Sequence, residues 1–296
     1  MQFSLSKIRQ GEALILSGSM LMGFFPILVV LTYAHIGPIA SLAYATVFAL
    51  LFFVVVMTFR KKWSDLWNGA GVLAALQSGL LLGVLLFPFL YIGLSMTSPG
   101  NASLLLQADV LFSFLFFHIW KKDAVTPRVV TGALCAVAGV LLILFQNTAE
   151  LNLGDAFIVL AAACAPVGNY FSKKAREHIS SESILFVRNL IALPCLFLLA
   201  ALFSQIPSWT AVQPLIPLIA LIGIVMLGIH KIMWIEGIHR IPVAKAVSLS
   251  SVTPLVTLLF SWVILHQQPT VVQLVSFFPL AAGVYLLTSE SPVSRN

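Results

Sequence analysis

"ASLLLQADVLF" at 102–112 and "VSLSSVTPLVT" at 247–257 lie 145 residues apart and align in register, with Asp109 in the first stretch where Pro254 stands in the second. Two further pairs keep the same order at an offset of 143: "GEALIL" at 11–16 with "GDAFIV" at 154–159, and "HI" at 35–36 with "HI" at 178–179. The likeness is slight letter by letter. Its preserved order across both halves makes the chain two copies of one unit.

Composition identifies the kind of unit. Of 296 residues 60% are hydrophobic and only 9% are charged, with a mean hydropathy of +1.03. A soluble chain carries about 25% charged residues, so this is a membrane protein. A hydrocarbon core about 30 Å thick needs about 20 apolar residues per helix. Ten such runs are present, near 13–33, 37–59, 70–95, 98–120, 126–146, 153–173, 182–203, 213–236, 241–265 and 269–288. The expected fold class is an all-α membrane protein with ten transmembrane helices, five in each repeat, the first repeat in 1–146 and the second in 147–296.

Lysine and arginine concentrate in cytoplasmic loops. Here they fall at Lys7 and Arg9, then in the even-to-odd connections: Arg60, Lys61 and Lys62; Lys121, Lys122 and Arg128; Lys173, Lys174 and Arg176; and Arg240. The other loops have none. Both termini are thus expected in the cytoplasm. Five spans per copy is an odd number, so the second copy inserts upside down. The loop charges agree, because "RKK" after helix two matches an uncharged connection after helix seven, and the uncharged first connection matches "KKAREH" after helix six.

Several classes are excluded on the same grounds. The net charge of +6 sits in short loop clusters and forms neither a basic face nor an aromatic-interleaved motif, so no nucleic-acid partner is expected. Cys135, Cys164 and Cys195 lie inside apolar runs and have no metal spacing. No phosphate-cradling loop of the ATP-driven kind is present. No cofactor and no metal are expected. The N-terminal "MQFSLSKIRQGEA" is too polar for a cleaved signal, which leaves helix one in the mature protein.

Ten helices in two inverted halves, with "ASLL" in helix four and "VSLSSVTPLVTLLFSWVIL" in helix nine, resemble the EamA group of the drug/metabolite transporter superfamily. The resemblance covers nearly the whole chain. It implies a secondary transporter of the bacterial inner (plasma) membrane, exporting or importing amino acids, amines, nucleotide-linked metabolites or other small organic solutes through a cavity between the halves. In the family pattern a proline follows the Ala-Ser-Leu element in both helices. Pro254 keeps it in helix nine, and Asp109 replaces it in helix four. The family's acidic residue at the ends of helices four and nine is shifted to Asp123 on one side and is Gln268 on the other.

Asp109 is the sharpest candidate for a site. A carboxylate at the bilayer centre costs at least ~2.5–3.5 kcal/mol and normally faces a wet cavity or the bundle interior. Two readings are open: a tie between helices, or a cation and proton site at the midplane, where proton release and amine binding compete for one carboxylate. Protons are then the coupling ion. Arg188, about two turns into helix seven, is placed either to hold a substrate carboxylate through its planar fork or to pair with Glu236. Lys231 and Lys245 are expected to extend to the interface, and His118, His230 and His239 to be interfacial. Glu12 and Asp155 are read as complements of helix N-terminal dipoles.

Pro26, Pro88, Pro166 and Pro254 fall within apolar runs and are expected to bend helices one, three, six and nine, freeing carbonyls toward a cavity. Near them lie Phe24, Phe87, Tyr91, Asn169, Tyr170 and Trp234 as substrate-binding candidates. Tyr91 and Trp234 are counterparts at the 143 offset, with interfacial anchoring as their alternative. The "NAS" glycosylation-type sequon at 101–103 opens a membrane helix and is set aside.

Three functions compete: a secondary transporter moving an amino acid, amine or related metabolite by alternating access; an uptake or exchange carrier for a cationic or nucleoside-type metabolite; and a membrane scaffold or receptor component. An enzyme is excluded in its simplest form, because Asp109 and His118 are separated by about 13.5 Å along a helix and cannot share a proton.

Overall fold

In hydrocarbon a backbone must satisfy its own hydrogen bonds, and the spanning segments are accordingly helices. The computed structural model describes residues 5–121, 127–145, 152–241 and 243–289. Among them ten spanning segments follow in order. They are α1 (Leu5–Thr32), α2 (Pro38–Phe59), α3 (Gly69–Leu94), α4, α5 (Pro127–Leu144), α6 (Leu153–Arg176), α7 (Ser181–Leu202), α8 (Trp209–Arg240), α9 and α10 (Val271–Ser289). Helix α4 is interrupted, with α4a at Pro99–Leu105, a 3-10 turn at Leu106–Ala108 and α4b at Asp109–Lys121. Helix α9 is interrupted at the matching place, with α9a at Val243–Ser250 and α9b at Thr253–Leu265. Helix α1 starts at Leu5, well before the expected residue 13, so Glu12 lies beyond its first turn and does not cap it. Asp123 lies outside the described residues, as does the side chain of His118.

The repeat is visible in the backbone. A π-helical stretch occupies Gly79–Leu86 in α3 and recurs at Ile222–Ile229 in α8, 143 residues on. The residue that turns the chain out of α2, Lys61, has a left-handed φ of 53°, and its counterpart after α7, Ser204, has 54°. The inversion is equally direct. Arg60 at the end of α2 donates to Glu182 at the start of α7 over 2.9 Å, while Gln205 just past α7 accepts from the backbone of Ile39 at the start of α2 over 2.9 Å. Equivalent helices therefore run antiparallel, as they must when one copy is turned over.

Packing exchanges elements between the copies. Helix α1 lies against α8 and α9b of the other half, and α6 lies against α3 and α4b. Helix α2 pairs with α7, and α5 with α10. The repeats are units of sequence, whereas in space they share one core, in which Phe25, Leu90, Leu105, Ile158 and Ile219 are all buried. The widened turns of α3 and α8 allow close approach. A Cβ on Gly83 would sit 2.8 Å from that of Ala192 in α7, and one on Gly223 would sit 2.7 Å from the Cβ of Phe48 in α2.

Departures from α-geometry fall in α3, α4, α8 and α9. Helices α1 and α6 run as unbroken α-helix through Pro26 and Pro166. Pro88 follows the π stretch of α3, and Pro254 opens α9b. A proline within the first turn of a helical segment forfeits no intrahelical bond, which suits Pro254 to its place after the break in α9, whereas Pro88 lies inside the continuous α3.

Candidate functional site

A cavity of about 180 Å³ lies where the four irregular helices meet α1, α6 and α7. Asp109 begins α4b at its wall, with its Oδ1 buried and, among the described residues, without a hydrogen-bond partner. Arg188 enters from α7 and is 5% exposed. His230 and Lys231 enter from α8, directly after the π stretch, and Thr253 from the first turn of α9b. Both cations approach Phe87: the Arg188 Cζ and the Lys231 Nζ each lie 5.3 Å from its ring centre.

Of the residues expected from sequence, Asp109, Arg188, Phe87, Trp234, Asn169 and Pro26 line this cavity. Tyr91 is fully buried behind it, edge-on to Phe25 at 5.9 Å. Phe24 packs on Phe260 with ring centres 3.9 Å apart, and Tyr170 meets Phe116 and Phe171. None of these three lines the cavity.

Several expectations are corrected. Lys231 does not extend to the interface but faces the cavity, and His230 beside it is 5% exposed and not interfacial. Arg188 does not pair with Glu236. That carboxylate accepts from Arg240 at 2.6 Å, from Arg176 at 3.2 Å and from the Ser181 hydroxyl at 2.7 Å, which occupies it fully at the end of the bundle. Asp109 accordingly shares its cavity with two cations. Among the described residues neither Arg188 nor Lys231 forms an ion pair. The signal for Lys231 was present in the repeat: at the 143 offset, His230 and Lys231 match Phe87 and Pro88, which sit in mid-membrane. Length counting from residue 236 hid it, because α8 continues to Arg240.

The two ends of the bundle differ. At the end bearing the basic loops, Glu12 of α1 meets Lys245 of α9a, both partly exposed. At the opposite end Asp155 of α6, 1% exposed, accepts from Thr97 just before α4a. There Gln273 of α10 donates to Asn101 at 2.7 Å and to Ser98 at 3.2 Å, and Asn152 donates to the carbonyl of Met96 at 3.1 Å. Asn101, the sequon asparagine, is thus an interior strut. Ser172, Trp234 and Ile235 line the cavity on the side of the basic loops, and Tyr91, Leu94 and Phe25 are buried in the core.

Comparison with known proteins agrees with this architecture. A solved structure described only as the crystal structure of a protein superposes with a TM-score of 0.66 at 21% identity, covering 94% of this chain and 97% of that one. The uncharacterized transporter YoaV of Bacillus subtilis (strain 168) is 22% identical over 248 residues, spanning 81% of this chain and 83% of its own. The probable glucose uptake protein GlcU of Bacillus cereus is 30% identical over 117 residues, 39% of this chain and 41% of its own. The sequence matches the EamA-like transporter family twice, over residues 9–145 and 152–289, one match for each inverted five-helix half. The chain therefore belongs to the EamA-like transporter family.

Proposed function

We propose that the protein is a secondary transporter that moves a small organic solute, an amino acid, amine or related metabolite, by alternating access, with protons as the coupling ion. The observation that carries this reading is Asp109. It stands at a helix break, on the wall of a cavity between inverted halves, with one carboxylate oxygen buried and, among the described residues, unpartnered. Inverted-repeat carriers bind their solutes at such broken helices near the midplane, and a buried acid facing a cavity is positioned to exchange a proton for a bound ammonium. A cavity of about 180 Å³ suits a small metabolite, being below the roughly 300–1,000 Å³ of pockets for drug-sized ligands.

The chemistry divides among the residues. Asp109 takes the proton or the ammonium, Phe87 and Trp234 offer aromatic faces, and Asn169 offers an amide. What supports alternating access is the unequal chemistry of the ends: a buried network of Asp155, Thr97, Asn101 and Gln273 at one, and the partly exposed pair Glu12 and Lys245 at the other. The excess of Lys and Arg in the loops supports reading that second side as the cytoplasmic side, with both termini there; the proposal places the chain in a bacterial inner membrane, with repeats spanning 1–146 and 147–296. Cysteines introduced at Lys61 and Met96, both exposed, should label from opposite sides of the membrane; labelling from one side would overturn the topology.

The direct test is flux of radiolabelled amino acids, amines, nucleosides and glucose into sealed vesicles containing the purified protein. Saturable flux of at least one solute, stimulated by an imposed pH gradient, is expected. A protein that binds a solute yet moves none of the panel would instead be a receptor.

A further inference from the structure

Two cations without ion pairs in a membrane interior demand compensation. A buried charge is tolerated when it is paired or coordinates a ligand. Arg188 is 5% exposed and, among the described residues, its charge is met only by the ring of Phe87. Lys231 shares the same face of the problem, 5.3 Å from the same ring centre, and the two positive groups repel one another. A cation–π contact offsets only a small part of the cost of burying an ion.

A third positive element opens into the same space. Helix α9b begins at Thr253, which lines the cavity, and no side chain caps its N-terminus. Pro254 brings no N–H, and the N–H groups of Leu255 and Val256 donate to the Val252 carbonyl at 3.1 and 3.3 Å, so this N-terminus attracts an anion through the positive end of its helix dipole. In the other repeat the matching N-terminus, that of α4b, carries its own anion in Asp109. The second repeat has Pro254 there and supplies no carboxylate.

We infer that the transported solute brings the missing anion: a carboxylate or phosphate group that sits between Arg188 and Lys231 at the N-terminus of α9b. This rests on reading the cavity as the transport site, and it narrows the substrate to acids and zwitterions over simple amines. Arg188 supplies the two-pronged contact with an oxyanion, and Lys231 a point charge. Where the solute also carries an ammonium, Asp109 receives it at the other broken helix.

The headgroup alone suffices to test this, using the purified full-length protein in detergent. Thermal unfolding is compared in sodium acetate, sodium phosphate and sodium chloride at matched ionic strength, since a ligand at free concentration c that binds only the folded state stabilises it by RT ln(1 + c/Kd) and so raises Tm as its concentration grows. Acetate or phosphate should raise Tm in a concentration-dependent way relative to chloride, and which of them does so separates carboxylate from phosphate. Apparent affinity should fall at least about tenfold in Arg188→Gln and in Lys231→Gln; if Arg188→Gln does not fold, Lys231→Gln carries the comparison. Equal Tm in all three salts, or a response unchanged in the variants that fold, would overturn the inference. Anion binding without flux in vesicles defeats the transport reading and leaves the anion site standing. Flux indifferent to Lys231→Gln does the reverse.

Discussion

Helices α4 and α9 are broken at the same place in their repeats, and their two halves present the cavity with opposite chemistry. At the break in α4 the downstream helix starts with Asp109; at the break in α9 it starts with Thr253 and Pro254. The same contrast holds at the two ends of the bundle. Glu12 and Asp155 are equivalent acids, each reaching the start of the opposite repeat's broken helix, but Glu12 meets Lys245 partly in the open and Asp155 is buried under a network of amides and hydroxyls. Duplication supplied a symmetric scaffold of breaks, π turns and crossed helices. Departures from the symmetry distinguish the ends: one carries a buried network of amides and hydroxyls, the other a partly exposed ion pair, and between them lie one acid and two cations that form no ion pair among the described residues.

The scaffold is the place where a change should do most damage. Gly83→Val and Gly223→Val each force a branched side chain into a helix contact that already lacks room for a Cβ. Overpacking of this kind costs about 1–3 kcal/mol, and thermal unfolding should show comparable losses for both. A large loss in one and none in the other would mean that the π turns are not equivalent supports.

At the end with the buried network, Asn101→Leu removes the acceptor for Gln273 and leaves that buried amide short of a partner, at a cost of about 1–3 kcal/mol. The expected outcome is greater access from that side, read as faster modification of a cysteine placed at Ser103, which lines the cavity. Lys245→Ala at the opposite end breaks a half-exposed pair of about 0.2–1 kcal/mol and should leave access from the networked side unchanged. Equal effects would erase the distinction between the ends.

Pro254→Asp makes the second break resemble the first. The new carboxylate occupies the N-terminus of α9b, so acetate or phosphate should bind about tenfold more weakly, a change of about 1.4 kcal/mol. Undiminished binding would separate the anion site from α9b.

The smallest effect is expected outside the membrane. Partial burial of Asp65, in the short helix Trp63–Trp67, opposes its ionisation. Hydrogen bonds from the backbone and hydroxyl of Ser180 and from Ser183, with the charge of Lys62, outweigh this and hold the carboxyl below its ordinary 3.8. With the folded value depressed, its contribution is full above 3.8 and fades as pH falls through the folded value. Wild type should therefore exceed Asp65→Asn slightly in Tm at neutral pH, with the difference shrinking in acid; a difference that grows in acid would reverse the assignment.

Much of this architecture was legible before any coordinates. Apolar run lengths located the spans, loop charges gave the inversion, and the offsets of 143 and 145 paired equivalent residues. Asp109 and Arg188 stood out because charge is costly in hydrocarbon. Lys231 and His230 did not, since proximity to a helix end in sequence suggested an aqueous position, and only the extension of α8 to Arg240 places them inside. The breaks were harder still. Prolines pointed to α1, α3, α6 and α9, of which α3 and α9 depart from α-geometry while α1 and α6 run on as α-helix; the π stretches at Gly79–Leu86 and Ile222–Ile229 contain no proline themselves and carry glycines packed closely against the other repeat. The latch between Asn101 and Gln273 joins residues 172 apart in sequence, which local pattern does not register.

Asp109 offers the most direct test of the whole scheme. Vesicles containing wild type, Asp109→Glu or Asp109→Asn at equal protein content would be loaded with a transported solute from the panel and given an inward or outward pH gradient. Wild type should accumulate solute against its gradient, and Asp109→Glu, which keeps a titrating carboxyl, should retain part of that accumulation. Asp109→Asn should remain folded by thermal unfolding yet lose proton-driven accumulation. If folded Asp109→Asn accumulates solute at the wild-type rate with the same pH dependence, the carboxylate only ties helices together and the proposed coupling through α4 is wrong.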